Sequence, residues 1–198
     1  MSFQGPLGPF GPFGGGPFED LMRDLARLLT TQGPVNWEVA GQLAPWIASG
    51  GQTEPNPDPL SRVRLEELLR VAELQVAEAT GLRVTSGRGV LTARAVTKAD
   101  WARLTLLAWR PLLERLATAF KAGLPDPSSL DPDDQMAQAL GALPQMLGPL
   151  LLGMQAGTMA GHLGSRAMGT YDLPLPRPPS DELLFVPANI DAFAAEWN

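Results

Sequence analysis

The chain has 198 residues, and among them are one histidine, His162, and no cysteine. Those two counts decide most of what its side chains can do. Without thiols there is no cysteine nucleophile, no disulfide framework and no thiolate zinc cluster, and one imidazole cannot serve a site that needs two. A His-rich zinc hydrolase complete within this chain is therefore excluded. His162 follows Gly161 in a segment with no formal charge, so a general base, a ligand and a hydrogen-bonded core side chain are all open to it. A lone imidazole with no carboxylate to orient it favours the structural role. Glu66, Glu67, Glu73 and Glu78 offer the carboxylates that acid–base or metal chemistry uses in pairs, but no second ligand type lies near them, and they read as a solvated helix face. Ser86-Gly87-Arg88-Gly89 looks like a phosphate loop. It lacks the Gly-Lys-Ser/Thr ending and a helix directly after it, so it reads as a turn.

The elements that would position these groups are mainly helical. Residues 1–17 are a Gly/Pro/Phe-rich tail expected to be disordered, and residues 18–198 form the helical domain. Phe18, Leu21, Met22, Leu25, Leu28 and Leu29 recur at helical spacing to about Thr31. Asn36 can cap a second helix carrying Trp37, Val39, Leu43, Trp46 and Ile47, with the two tryptophans as core anchors and Gly50-Gly51 as the stop. Asp58-Pro59 opens a helix to Thr80, closed by Gly81, with Leu65, Leu68, Ala72, Val76 and Ala79 as its stripe and Glu66 paired with Arg70. Residues 82–97 lose the helical period and suggest a short hairpin, Leu82–Thr85 against Val90–Val96. Thr97 to Asp100 is a capping box with Asp for Glu, starting a helix to about Ala122 with Trp101, Leu104, Leu107, Ala108, Leu112, Leu116 and Phe120 inside. Tyr171 to Pro179 is extended by its prolines. Glu182 to Val186 reads as a C-terminal strand, and Asn189 or Asp191 caps a last helix bearing Phe193 and Trp197.

Between Asp134 and Arg166 lie 31 consecutive residues without a formal charge. That is long enough to cross a bilayer. Pro144, Pro149, six glycines and four glutamines argue against a span, and a buried helix pair broken near Gly148-Pro149 is the alternative. Gly153, Gly157 and Gly161 fall on one helix face, where a second helix can approach closely. The reading adopted is a central helix wrapped by amphipathic ones. The 15 basic residues are scattered among 21 acidic ones, net −6, so no nucleic-acid partner is expected. No basic region followed by an apolar run opens the chain, and a cytoplasmic location is expected.

Several blocks are recognisable. Gln32-Gly-Pro-Val-Asn-Trp37, Arg64-Leu-Glu-Glu-Leu68 with Val71-Ala-Glu73, Gly153 through Gly161-His162 to Tyr171-Asp-Leu-Pro-Leu-Pro-Arg-Pro-Pro-Ser-Asp-Glu182, and Pro187-Ala-Asn-Ile190 resemble the bacterial zincin-like, zinc-dependent metallopeptidase family, of the actinobacterial type associated with deazaflavin-cofactor biosynthesis. The resemblance covers about Phe18 to Asn198. It implies a mostly helical hydrolase whose zinc is held by an H-E-x-x-H helix downstream of the Pro-Arg-Pro-Pro segment, with the glutamate activating water. This chain has no such motif, since His162 is followed by Leu163-Gly164. No catalytic, cofactor-binding or metal-ligating residue is carried over, and no zinc is expected on this chain alone. The expectation is an amino-terminal scaffold portion whose partners are a missing C-terminal catalytic region and a peptide or protein substrate. Two other readings stand beside it: a noncatalytic helical interaction module, and a membrane-associated protein acting through residues 135–165.

Overall fold

A computed structural model describes residues 33–82, 91–123, 135–170 and 180–197. The expected tail, the helix over 18–31, the first hairpin strand with its Ser86–Gly89 turn, and the extended Tyr171–Pro179 segment lie outside the described residues. Among those described, five helices and two short strands follow in the order α1 (Trp37–Ala48), α2 (Pro59–Thr80), β1 (Thr92–Ala95), α3 (Lys98–Ala122), α4 (Gln135–Gly164), β2 (Glu182–Phe185) and α5 (Pro187–Glu196). The domain is mainly α, as its periodicities require.

The helix starts follow local chemistry. Asn36 Oδ1 accepts from Val39 N at 3.0 Å and Asp58 Oδ1 from Leu60 N at 3.0 Å. Thr97 Oγ1 accepts from Asp100 N at 3.0 Å, and Glu54 Oε2 reaches from the preceding loop to accept from Ala99 N at 2.9 Å. Each satisfies an amide left without a partner in a first turn. Gly81 ends α2 in the left-handed region at φ +68, a conformation glycine adopts without a Cβ clash.

The centre is a contact between two seams of small residues. On α4, Gly153, Gly157, Gly161 and Gly164 face α1, and a Cβ on Gly157 would stand 2.9 Å from both Cα and O of Ala40, one on Gly161 2.6 Å from Ile47 Cβ. On α1, Ala40, Ala44 and Ala48 are buried at the same spacing of four. Small residues on both sides let two backbones come into contact. Asn36 N donates to the Pro149 carbonyl at 2.8 Å, pinning the start of α1 to the middle of α4. The helix α3 closes the core with Trp101, Ala102, Leu106 and Trp109.

Several expectations are corrected. Instead of a helix pair broken at Gly148-Pro149, α4 runs unbroken through Pro144 and Pro149. Among the described side chains of α4 the buried ones are the seam glycines with Ala156 and Ala160, whereas Met136, Met146 and Leu151 are exposed, so it is not wrapped all round. The anchors are Trp101 and Trp109, fully buried, whereas Trp46 is 45% exposed. On α3 the buried face is Trp101, Ala102, Thr105, Leu106, Trp109 and Ala117, and Leu107, Leu116 and Phe120 of the expected stripe are exposed. Apolar residues occupy most of this helix's circumference, so period alone does not select the core face. No residue of α2 is buried, and Glu66 pairs with Arg62 at 2.9 Å rather than with Arg70. Among the described residues β1 pairs in parallel with β2, Thr92 opposite Glu182 through Ala95 opposite Phe185. Such pairing needs a long crossover, supplied here by the chain that contains α3 and α4. The last helix starts at Pro187 with no side-chain cap, so neither Asn189 nor Asp191 caps it.

Candidate functional site

The sole imidazole is carried on the last turn of α4. It is exposed rather than buried, because the seam residues beside it, Gly161 and Gly164, take the face toward α1 and α3. Around it lies a shallow depression of about 660 Å³ lined also by Leu163, Arg166, Ala167 and Met168. The charged neighbour is a guanidinium, which opposes a bound cation instead of attracting one. Ser165 Oγ donates to the His162 carbonyl at 2.8 Å, a local turn bond that leaves the ring uninvolved.

Three helical side chains meet at the other end of α1. Trp37 Nε1 donates to Glu114 Oε1 at 3.0 Å, and Arg110 Nε donates to the same oxygen at 2.8 Å. The Arg110 guanidinium also lies 5.5 Å from the Trp37 ring centroid, within cation–π range. The hydrogen bond from Arg110 holds the Glu114 carboxyl below its ordinary value of 4.5, helped by the Trp37 N–H and by the charge of Arg110, with desolvation opposing. A carboxylate kept ionised in this way is a poor proton donor near neutrality. The arrangement clips α1 to α3.

A third cluster positions the sheet. Asn189, buried on α5, donates through Nδ2 to the Gly164 carbonyl at 3.0 Å and the Ala167 carbonyl at 2.8 Å. It satisfies carbonyls at the C-terminus of α4 that have no helical partner. The chain after α4 then supports β2 from its far edge, with Val186 N donating to the Met168 carbonyl at 2.9 Å and an antiparallel bridge between Gly169 and Phe185. Leu68, Val76 and Glu73 of α2 face Leu183, Phe185 and other apolar residues across a groove of about 440 Å³.

Among the described residues, no three His, Cys, Asp or Glu side chains lie close enough to hold a metal ion. Of the four sequence-flagged glutamates, Glu73 borders the groove and Glu66 serves Arg62, and the four do not converge. Among the described residues the donors do not fit zinc, because no carboxylates gather with the imidazole into a group of three. Sequence reasoning missed the Trp37–Arg110–Glu114 clip and the Asn189 clamp. The Arg110/Glu114 spacing of four was legible on the helix, but no local signal joins Asn189 to carbonyls 22 and 25 residues away. Among the described residues no helix is long and apolar enough to cross a membrane.

A family model for zincin-like metallopeptidases matches residues 35–198. No curated protein and no solved structure matches the chain.

Proposed function

Because the chain belongs to the zincin-like metallopeptidase family, we propose that it is the amino-terminal helical scaffold of a zinc-dependent peptidase, the metal ligands being supplied by residues outside these 198. The observation that carries this reading is the donor inventory. Catalytic zinc normally takes three protein ligands, whereas this chain has one histidine and no cysteine, and that histidine is exposed beside Arg166. In the complete enzyme zinc would supply Lewis-acid activation of water. The work of this portion is to position. The α1–α4 seam, the Trp37–Arg110–Glu114 clip and the Asn189 clamp tie α1, α3, α4 and α5 together, and the short parallel sheet borders the α2 groove, a support for a catalytic region and a peptide substrate. The finer placement, with the type associated with deazaflavin-cofactor biosynthesis, rests on the Tyr171–Glu182 block, most of which lies outside the described residues.

The test is elemental analysis and a peptidase assay on the 198-residue protein after extensive dialysis, beside a longer chain that contains an H-E-x-x-H segment. The short chain is expected to hold no stoichiometric zinc and to cleave no peptide, and the longer one to do both. Stoichiometric zinc on the short chain, lost in His162→Ala, refutes the proposal. One observation favours a second reading, a helical interaction module. Phe193 of α5 and Trp197 just past its end lie 5.9 Å apart between ring centroids in a tilted arrangement while remaining 47% and 78% exposed, an apolar pair of the kind that partners cover. A short chain that stays monodisperse at high concentration and carries no activity even when extended supports that module.

A further inference from the structure

The groove of about 440 Å³ beside α2 falls in the size range of small-ligand sites. One wall is α2, and the other is made by Leu183 and Phe185 of β2, Ile190 of α5 and Met168 just past α4. It stays open because α2 meets the sheet without interlocking with it: no residue of α2 is buried, and its liners Leu68 and Val76 are 59% and 46% exposed. Leu65, Leu69 and Glu73 follow at the helical spacing of four, are each half-buried and line the groove together. Glu73 therefore stands in the inward row of α2, and every other liner is apolar. We propose that the groove binds an alkylammonium, a protonated primary amine on an unbranched apolar chain, with the ammonium on the Glu73 carboxylate and the chain along Leu69 and Leu65.

Charge complementarity selects this ligand. A carboxylate lining an apolar groove loses part of its hydration, and a partner of opposite charge offsets that loss. Glu66 has such a partner in Arg62 at 2.9 Å, whereas among the described residues Glu73 has neither an ion pair nor a side-chain hydrogen bond. Arg70, one turn earlier, is exposed and does not line the groove, and Arg94 of β1 lies 3.8 Å from Glu182. A neutral apolar ligand leaves the carboxylate facing hydrocarbon, and an anion meets repulsion. An ammonium brings three donors as well as the charge. Length selects the chain: Leu65 precedes Glu73 by eight residues, about 12 Å along the helix axis, which is room for about eight extended carbons behind the ammonium. The inference does not depend on the peptidase reading, since this binding needs neither zinc nor a catalytic region.

The test is methyl NMR on the 198-residue protein labelled at Ile, Leu and Val, titrated with octylammonium, octanol and octanoate below their solubility limits and micelle-forming concentrations. Octylammonium is expected to shift the methyls of Leu65, Leu69, Val76, Leu183 and Ile190 saturably and to bind about fivefold tighter than octanol, the upper end of what a partly exposed ion pair supplies, with octanoate weakest. Shortening the amine from octyl to hexyl is expected to weaken binding about fourfold per methylene, the equivalent of about 0.8 kcal/mol for each buried CH₂. Glu73→Gln is expected to bind octanol as before and to lose the preference for octylammonium, whereas Glu73→Asp keeps part of it. Unchanged far-UV circular dichroism shows that both variants remain folded. Equal affinity for octylammonium and octanoate in the unaltered chain, a preference that survives Glu73→Gln, shifts centred on methyls outside the groove, or no saturable shift with any of the three ligands would each overturn the proposal. None of these outcomes bears on zinc or peptidase activity, so a failure here is distinguishable from a failure of the scaffold reading.

Discussion

Replacing Gly153 with alanine adds a single methyl group, and the seam between α1 and α4 determines what that methyl meets. In a helix interior away from contacts the change stabilises, by about 1 kcal/mol, through lower backbone entropy in the unfolded chain. At Gly153 the new Cβ is directed into the carbonyl oxygen of Asn36. That oxygen is backbone and already accepts from Ala40 N at 3.2 Å, while Asn36 N donates to Pro149 O at 2.8 Å. It cannot yield by a rotamer change, so the helices must part, weakening both bonds and the packing of Ala40 and Ala44. Overpacking of this kind costs about 3 kcal/mol at the upper end of its usual range, and subtracting the helix gain leaves a net loss of about 2 kcal/mol. For a domain of this size that corresponds to a fall in Tm of about 4 to 8 °C. The control is Gly41→Ala on the exposed side of α1, where an added Cβ has no neighbour within 4 Å; it is expected to gain about 1 kcal/mol, raising Tm by about 2 to 4 °C. Thermal and urea unfolding followed by far-UV circular dichroism measure both. If Gly153→Ala proves as stable as Gly41→Ala, the backbones are not in contact and the seam argument is wrong. Gly157→Leu, with more atoms to place at 2.9 Å from Ala40, is expected to lose more than Gly153→Ala.

Three further outcomes follow from single side chains. Asn189→Ala leaves the Gly164 and Ala167 carbonyls without their Nδ2 donor and is expected to cost about 2 kcal/mol; an unchanged urea midpoint would mean that water serves those carbonyls equally well. Thr105 is fully buried and its hydroxyl has no hydrogen-bond partner among the described residues, so Thr105→Val, which keeps the shape and removes the desolvated oxygen, is expected to raise stability by about 1 kcal/mol. A loss in that variant would reveal a bonded hydroxyl. The Glu114 carboxyl titrates below 4.5 when folded, so its contribution is present above that value and disappears as pH falls through the folded value. Glu114→Gln should therefore flatten the acid limb of a stability–pH curve below about pH 4.5, and an acid limb identical to that of the unaltered chain would show that the clip carries no proton linkage.

Much of the fold is local and was readable as such. Asn36, Asp58 and Thr97 cap helices because each is a short polar side chain placed before an apolar periodic run, and Gly81 ends one because its backbone enters the left-handed region. The glycine spacing from Gly153 to Gly161 announced a close helix contact, since only the absence of Cβ atoms permits one. The motif blocks likewise needed no coordinates, and they indicated the family. The matching signal on α1 was present too, in Ala40, Ala44 and Ala48, but the larger apolar residues of the same helix, among them the exposed Trp46, mask it.

Tertiary structure decided the rest. Whether Leu116 and Phe120 or Trp101 and Trp109 face the core depends on which flank of α3 meets α1 and α4, and a helix apolar on several sides carries no internal preference. The partner of β2 is β1, 90 residues earlier in register, because parallel pairing is set by the path of the intervening helices and leaves no turn signature. Asn189 reads as a cap for its own helix until the end of α4 arrives beside it. A local hydrogen bond is determined by neighbours along the chain, whereas a clamp, a sheet register and the exposure of His162 are determined by what packs from elsewhere, and those relations exist only once the helices have met.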